Sequence, residues 1–334
     1  MAVALVDRFG RVHDYLRISV TDRCNLRCVY CMPETGMQFL DESQLMTDDE
    51  IVQVVQAGAE LGIRKLRITG GEPTVRRGLP KLVERLSAIP GIEDIALTTN
   101  GMTLRDQAQE LKDAGISRLN LSLDSMKAEP FQAITRFGEF ARVWEGLEEA
   151  VRVGFSPIKL NVVLVGGFNE GEIVDFLRLT ERYPIMVRFI EYMPIGQDAK
   201  AWRKRYVPLT DVFTQAEAAG IELAPGTEVR GNGPAQYYRI PGAPGQVGFI
   251  HPVSDHFCAT CNRLRLTADG RLKPCLYWAD EVAVRDCVGQ PEQLREMFFR
   301  ALAIKPEKHE MSLAGEVLDS GLVPTLRTMS QIGG

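Results

Sequence analysis

An α/β fold built on a parallel sheet is what the first two thirds of this 334-residue chain predict. Short β-rich runs alternate with amphipathic helical stretches, at a spacing that suits strand–helix–strand crossovers. The composition is that of a globular protein, 45% hydrophobic and 25% charged, and the length provides for a large core. These patterns do not separate a doubly wound sheet from one curled into a barrel.

The elements follow in order. A β-rich run at Tyr15–Val20 opens the series. Thr47 and Glu50 form a capping box that starts a helix running through Leu61. Strands are expected at Lys65–Thr69, Ile95–Thr99, Arg118–Leu123, Ile158–Leu164 and Ile185–Ile190. The intervening helical patterns are Leu79–Ala88, just after Gly78, then Leu104–Ala114, Phe140–Val153 and Gly171–Tyr183. The character changes after about Ala224. Pro225 to Gly248 is dense in Pro and Gly, and the apolar pieces Tyr237–Ile240 and Val247–Ile250 read as short strands joined by turns. Helical patterns return at Pro291–Ala303 and around Lys305–His309. No repeat of fixed period and no low-complexity tract is visible.

Lys+Arg total 39 and Asp+Glu total 44, so the net charge is 39 − 44 = −5. That balance argues against a general nucleic-acid coat but permits a local basic pocket. The start, MAVALVDRFGRVHDY, lacks the long apolar run of a signal peptide. No apolar stretch approaches the ~18 residues of a membrane span. A cytoplasmic protein that contacts neither membrane nor nucleic acid is expected, and clustered cysteines there serve metals or catalysis rather than disulfides.

Six of the seven cysteines form two triads, Cys24-x3-Cys28-x2-Cys31 and Cys258-x2-Cys261-x13-Cys275. Three thiolates close in sequence suit a metal or cluster whose remaining position stays open to a ligand. Spacing leaves zinc as an alternative: His13 or Asp14 could complete the first site, and His251 or His256 the second. Cys287 stands apart and reads as a small buried apolar residue.

Cys24-Asn25-Leu26-Arg27-Cys28-Val29-Tyr30-Cys31 is similar to the CxxxCxxC signature of radical S-adenosylmethionine enzymes, and Gly70-Gly71-Glu72-Pro73 resembles that family's GGEP motif. The second triad with Asn262-Arg263-Leu264-Arg265 resembles the carboxy-terminal region of the GTP 3′,8-cyclase family, which opens molybdenum-cofactor synthesis. The likeness includes Asp22-Arg23-Cys24-Asn25, Arg67-Ile68-Thr69, Thr98-Thr99-Asn100-Gly101, Asn120-Leu121-Ser122-Leu123-Asp124, Gly233-Pro234-Ala235, Gly248-Phe249-Ile250 and the Gly333-Gly334 tail.

The resemblance implies an incomplete (β/α)6 TIM-like barrel over residues 1–224. Its open side would be closed by an α+β extension, residues 225–334, carrying a second iron–sulfur cluster. It implies two 4Fe–4S clusters with three Cys ligands each: Cys24, Cys28 and Cys31, then Cys258, Cys261 and Cys275. Tyr30, Gly71, Ser122 and Met193 match positions that bind S-adenosylmethionine. Arg17, Arg67, Thr98, Lys159, Arg263, Arg265 and the backbone at Leu264 match positions that contact GTP. Arg188 matches a basic active-site position, and Gly333 and Gly334 match a tail that enters the site, with Arg327 a candidate to assist it.

The implied reaction is radical cyclisation of GTP to 3′,8-cyclo-7,8-dihydro-GTP, begun by reductive cleavage of S-adenosylmethionine and abstraction of the C3′ hydrogen. The implied partners are an electron donor such as flavodoxin or ferredoxin and a downstream cyclic pyranopterin monophosphate synthase. A homodimer is the expected assembly. From the residues themselves, Arg263 and Arg265 alternate in an extended segment and so share one face. Planar guanidinium groups there suit phosphate better than peptide, which ranks a peptide-modifying maturase second. A non-catalytic metal scaffold is the remaining reading.

Overall fold

The computed structural model describes residues 4–195, 202–227, 233–313 and 321–333. Strands and helices alternate as β1 (Tyr15–Ser19), α1 (Asp48–Glu60), β2 (Lys65–Thr69), α2 (Leu79–Ser87), β3 (Asp94–Thr99), α3 (Leu104–Asp113), β4 (Arg118–Ser122), α4 (Ala128–Thr135), α5 (Phe140–Val153), β5 (Ile158–Val163), α6 (Ile173–Arg182), β6 (Met186–Ile190) and α7 (Thr210–Ala218). Strands β1 to β6 pair in chain order, each parallel to the next. This is the incomplete (β/α)6 barrel. Helix α1 begins as its capping box requires, with Glu50 N–H donating to Thr47 Oγ1 and Thr47 N–H to the Glu50 carboxylate. Helices α4 and α7 were not anticipated; α4 is short and carries Pro130 near its start.

The remaining elements are β7 (Ala224–Pro225), β8 (Gln236–Arg239), β9 (Gln246–Ile250), β10 (Arg263–Leu266), β11 (Arg271–Lys273), β12 (Val282–Ala283), α8 (Pro291–Ala303) and α9 (Met329–Ile332). They do more than close one side. Strand β9 joins β6 and β10 joins β1, both parallel, so the carboxy-terminal part extends the sheet at both edges. The antiparallel pairs β7–β8 and β11–β12 lie outside these. Lys305–His309 is not helical. Pro306 biases Lys305 toward extended backbone and supplies no N–H of its own, so the helix pattern stops with α8. Cys287 is half-buried against the core rather than fully buried.

Strand periodicity divides the residues cleanly. Leu16, Ile18, Leu66, Ile68, Leu97, Leu119, Leu160 and Val187 face outward into the layer of helices and are buried there. Their alternate neighbours face the barrel interior, and many of these are polar or charged. Pairing aligns Arg265, Arg17, Arg67, Ala96 and Arg118 across five strands. A second row contains Thr98, Asn120, Lys159 and Met186, and a third Ser122, Asn161, Arg188 and Gly248. An apolar outer face therefore supports a polar interior.

Candidate active site

The interior opens into a space of about 1410 Å³, partly continuous with solvent. Arg17, Arg67, Arg188, Arg263 and Arg265 all lie on its wall. The Arg17, Arg67 and Arg263 Nε atoms and the Thr98 hydroxyl are buried without a hydrogen-bond partner. Buried donors seldom remain unpaired, so these are positions for a ligand rich in acceptors. Burial, with Arg265 and Arg67 alongside, pulls the Arg17 guanidinium well below the usual arginine range. Burial lowers Arg188 to about 10, with Arg67 adding to the fall, and lowers Arg265 to about 10, with Arg263 adding to it. A polyanion entering here would relieve this mutual repulsion. Arg188 is held by two neutral amides, donating to Asn161 Oδ1 (Nε, 2.9 Å) and Asn120 Oδ1 (2.8 Å).

At the carboxyl ends of β1 and β2, Cys24, Cys28 and Cys31 line the same space. Burial raises all three thiols. Nearby Glu72 helps carry Cys24 to about 11, Asp124 and the neighbouring sulfurs push Cys28 well up, and Cys24 helps take Cys31 to about 12. Such a trio stays protonated until a cation compensates its charge. Leu26 N–H donates to the Cys24 sulfur, and Ser330 N–H to that of Cys31. Among the described residues no three His, Cys, Asp or Glu side chains are placed to hold a single metal ion. An all-sulfur donor set on a cavity wall fits a larger, iron–sulfur group.

The Gly70-Gly71 turn packs directly on this loop. Gly71 N–H donates to Thr21 O (2.7 Å) and Glu72 N–H to Arg23 O (2.8 Å). Glu72 is buried and accepts from the Thr74 and Thr99 hydroxyls and from Asn100 N–H. The Asn100 amide in turn donates to Asn25 Oδ1 (2.7 Å). Tyr30 donates its hydroxyl to Asp124 (2.6 Å), and burial raises that carboxyl to about 6.

Cys258, Cys261 and Cys275 line an adjoining cavity of about 600 Å³. Met193, Arg263 and Arg265 border both spaces, so the arginines stand between the triads. The electrostatics differ from the first triad. Burial would raise Cys261, but Arg263 and Lys305 outweigh it and bring the thiol to about 6.

Tyr30, Gly71, Ser122, Met193, Arg17, Arg67, Thr98, Arg188, Arg263 and Arg265 all reach the larger cavity wall. Lys159 does not; it is buried behind the wall, where burial and then Arg188, Arg118 and Arg67 lower it to about 7. The Leu264 side chain points into the core, as strand alternation between two inward arginines requires. Gly333 O accepts from Arg265, and a side chain at Gly333 would strike Thr69. Gly334 lies outside the described residues. Arg327 forms ion pairs with Asp269 and Glu281, at the edge of the tail rather than in the cavity.

Neither His13 nor the other proposed zinc ligands line a thiol cavity: His13 is buried against Asp7, His251 bonds Ser254, and His256 bonds Met311 O. The sequence assigns Asp124 no role beyond its place in the Asn120–Asp124 motif, and none to Asn161, Ser330 and Lys305. Asp124 and Asn161 could have been found as the inward partners of predicted strands; Lys305 had no such signal.

Residues 18–180 match the family model of the Radical SAM superfamily, and residues 185–311 match Molybdenum Cofactor Synthesis C. The fold agrees: Streptococcus suis SuiB bound to S-adenosylmethionine superposes with a TM-score of 0.59 at 13% identity, over 80% of this chain and 62% of that one. The class is therefore a radical S-adenosylmethionine partial barrel with a molybdenum-cofactor carboxy-terminal region. The relative from Listeria monocytogenes serotype 4b, a GTP 3′,8-cyclase, is 53% identical over 99% of both chains. GTP 3′,8-cyclases of Lactiplantibacillus plantarum and Heliobacterium modesticaldum are each 46% identical over 99% of this chain and 99% and 100% of their own. The chain belongs to the GTP 3′,8-cyclase family of radical S-adenosylmethionine enzymes.

Proposed function

We propose that this protein cyclises GTP to (8S)-3′,8-cyclo-7,8-dihydroguanosine 5′-triphosphate at the expense of S-adenosylmethionine, the first step of molybdenum cofactor biosynthesis. The observation that carries the reading is a cavity walled by unpartnered arginine donors between two thiol triads. Cys24, Cys28 and Cys31 would hold one 4Fe–4S cluster, and Cys258, Cys261 and Cys275 a second, each cluster keeping one iron free of protein ligands. When bound, the first cluster with S-adenosylmethionine supplies the 5′-deoxyadenosyl radical that begins the reaction.

The chain's own residues bind and orient. Gly70 and Gly71 bring backbone close to the first triad, where Ser122, Met193 and the Asp124-anchored Tyr30 surround the cosubstrate. Arg17, Arg67, Arg263 and Arg265 neutralise the triphosphate, with Lys159 adding charge from behind and Thr98 a hydroxyl. Arg188, locked by Asn120 and Asn161, fixes the substrate's place rather than moving with it. Gly333 accepts from Arg265, and the terminal glycines serve the site as the family's tail does. Holding guanine toward the second triad turns the C3′ hydrogen toward the first, and this positioning carries most of the selectivity.

Residues 1–224 form the radical S-adenosylmethionine partial barrel, and 225–334 the carboxy-terminal domain that carries the second cluster and completes the GTP site. A low-potential flavodoxin or ferredoxin supplies electrons, a cyclic pyranopterin monophosphate synthase takes the product, and the protein works as a cytoplasmic homodimer. Among the described residues no helix is long and apolar enough to cross a membrane.

Anaerobic incubation with dithionite, S-adenosylmethionine and GTP should give 5′-deoxyadenosine coupled to GTP loss, with about eight irons per chain. Replacing Cys258, Cys261 and Cys275 by Ala should reduce iron to about four. It should spare cosubstrate cleavage and abolish cyclisation. Cyclisation surviving that change would make the second site structural and overturn the reading.

A further inference from the structure

We propose that Lys305 is a positioning residue for the second cluster: its ammonium and the strap of residues 305–309 preset the three sulfurs and keep a charged donor on Cys261. The inference rests on the reading that Cys258, Cys261 and Cys275 hold an iron–sulfur cluster. Lys305 is only 2% exposed and borders the cavity that the three thiols line. Its ammonium donates to Arg263 O (3.0 Å), Pro274 O (2.5 Å) and Cys261 Sγ (3.7 Å). Three donors thus meet three acceptors, which saturates the group. None of these acceptors is a carboxylate, so its charge faces sulfur and carbonyl dipoles instead.

The identity of those acceptors matters. Pro274 immediately precedes Cys275, and Arg263 follows Cys261 by two residues. One ammonium therefore ties together two of the three cysteine segments and the backbone of a triphosphate-facing arginine. The same strap reaches the third. His309 N–H donates to the Cys258 sulfur. Arg11, braced by Asp7, links Cys258 O (2.8 Å) to Glu307 O (2.7 Å) and Pro306 O (2.8 Å). All three cysteines are thus attached to residues 305–309. Donors to cluster sulfur stabilise the reduced form, because they compensate the added negative charge.

The test isolates the second site in the full-length chain with Cys24, Cys28 and Cys31 all replaced by Ala. This parent is reconstituted anaerobically with limiting iron and sulfide, and is expected to bind about four irons. Lys305→Met should retain less than half of the parent's iron, and the cluster that does form should titrate at a lower midpoint potential by electron paramagnetic resonance. Lys305→Gln keeps an N–H donor but no charge, so it should recover most of the iron while still titrating lower. A parent with its cluster, and variants that match it in both iron and midpoint, would overturn the role of Lys305 alone. A parent that takes up no iron–sulfur cluster would overturn the cluster reading and this inference with it. Circular dichroism reports folding; if the Met variant unfolds, the midpoint of the Gln variant decides, and an unchanged value overturns the proposal.

Discussion

Gly71→Ala should disable the first site through one methyl group. A Cβ at position 71 would lie 2.3 Å from Arg23 O, 2.6 Å from Arg23 C and 2.6 Å from Asp22 O, where ordinary contact begins near 3.4 Å. About 1 Å of separation is therefore required of two backbone segments. Neither is free to yield, because Gly71 N–H and Glu72 N–H bond Thr21 O and Arg23 O across the same contact. Arg23 directly precedes Cys24, so the displacement falls on the first thiol. Overpacking of this kind costs about 1–3 kcal/mol, and a 1 Å misplacement of reacting groups costs about 100-fold in rate. The assay is dithionite-driven formation of 5′-deoxyadenosine, with iron content and thermal melting measured in parallel. Gly171→Ala is the control, since a Cβ there meets nothing within 4 Å and should leave all three unchanged. A Gly71→Ala protein that cleaves S-adenosylmethionine at the parental rate would refute the steric argument.

Two pH-dependent outcomes follow from buried groups. Burial would raise Glu191, but the nearby His251 ring and hydrogen bonds from Ser254 and Tyr206 outweigh it and hold the carboxyl at about 2, below its ordinary 4.5. Its stabilisation is complete above pH 4.5 and is lost as pH falls toward 2, so denaturant melts should find Glu191→Gln weaker by about 3 kcal/mol at pH 7. That gap should narrow steadily below pH 4.5; a gap constant with pH would contradict the assignment. Lys159, lowered to about 7 first by burial and then by Arg188, loses its charge as pH rises through that value. In wild type kcat/KM for GTP should therefore decline above about pH 7 with the slope of one proton, and Lys159→Met should lack that inflection. Identical profiles would remove Lys159 from triphosphate binding.

The parts of the site that could be read from sequence are those made locally. Cys24, Cys28 and Cys31 sit in one short loop after a strand, and Gly70-Gly71 in the loop after the next. Arg263 and Arg265 were assigned to one face because a strand repeats every two residues, and both do line the cavity. Lys159 obeys the same alternation yet stops short of the wall, although Thr98 of the same row reaches it; alternation gives the face of a side chain, not which neighbours cover it. Residues 305–309 differ from the helical expectation because Pro306 lacks an N–H and biases Lys305 toward extended backbone, while Lys305 bonds Cys261.

By itself the sequence determined the alternating strands and helices and the two three-thiol donor sets. Periods of 2 and 3.6 residues, helix caps and ligand spacing are properties of neighbouring residues. Tertiary structure decided what those pieces face. Parallel pairing of β10 with β1 aligns Arg263 with Tyr15 and Arg265 with Arg17 across nearly the whole chain, placing cations from both ends in one wall. Packing likewise turned Lys305 onto Cys261, Ser330 onto Cys31 and Gly333 onto Arg265. These contacts join residues remote in sequence. A buried charge acquires a role only from the groups it meets, and those are fixed when the sheet closes on itself.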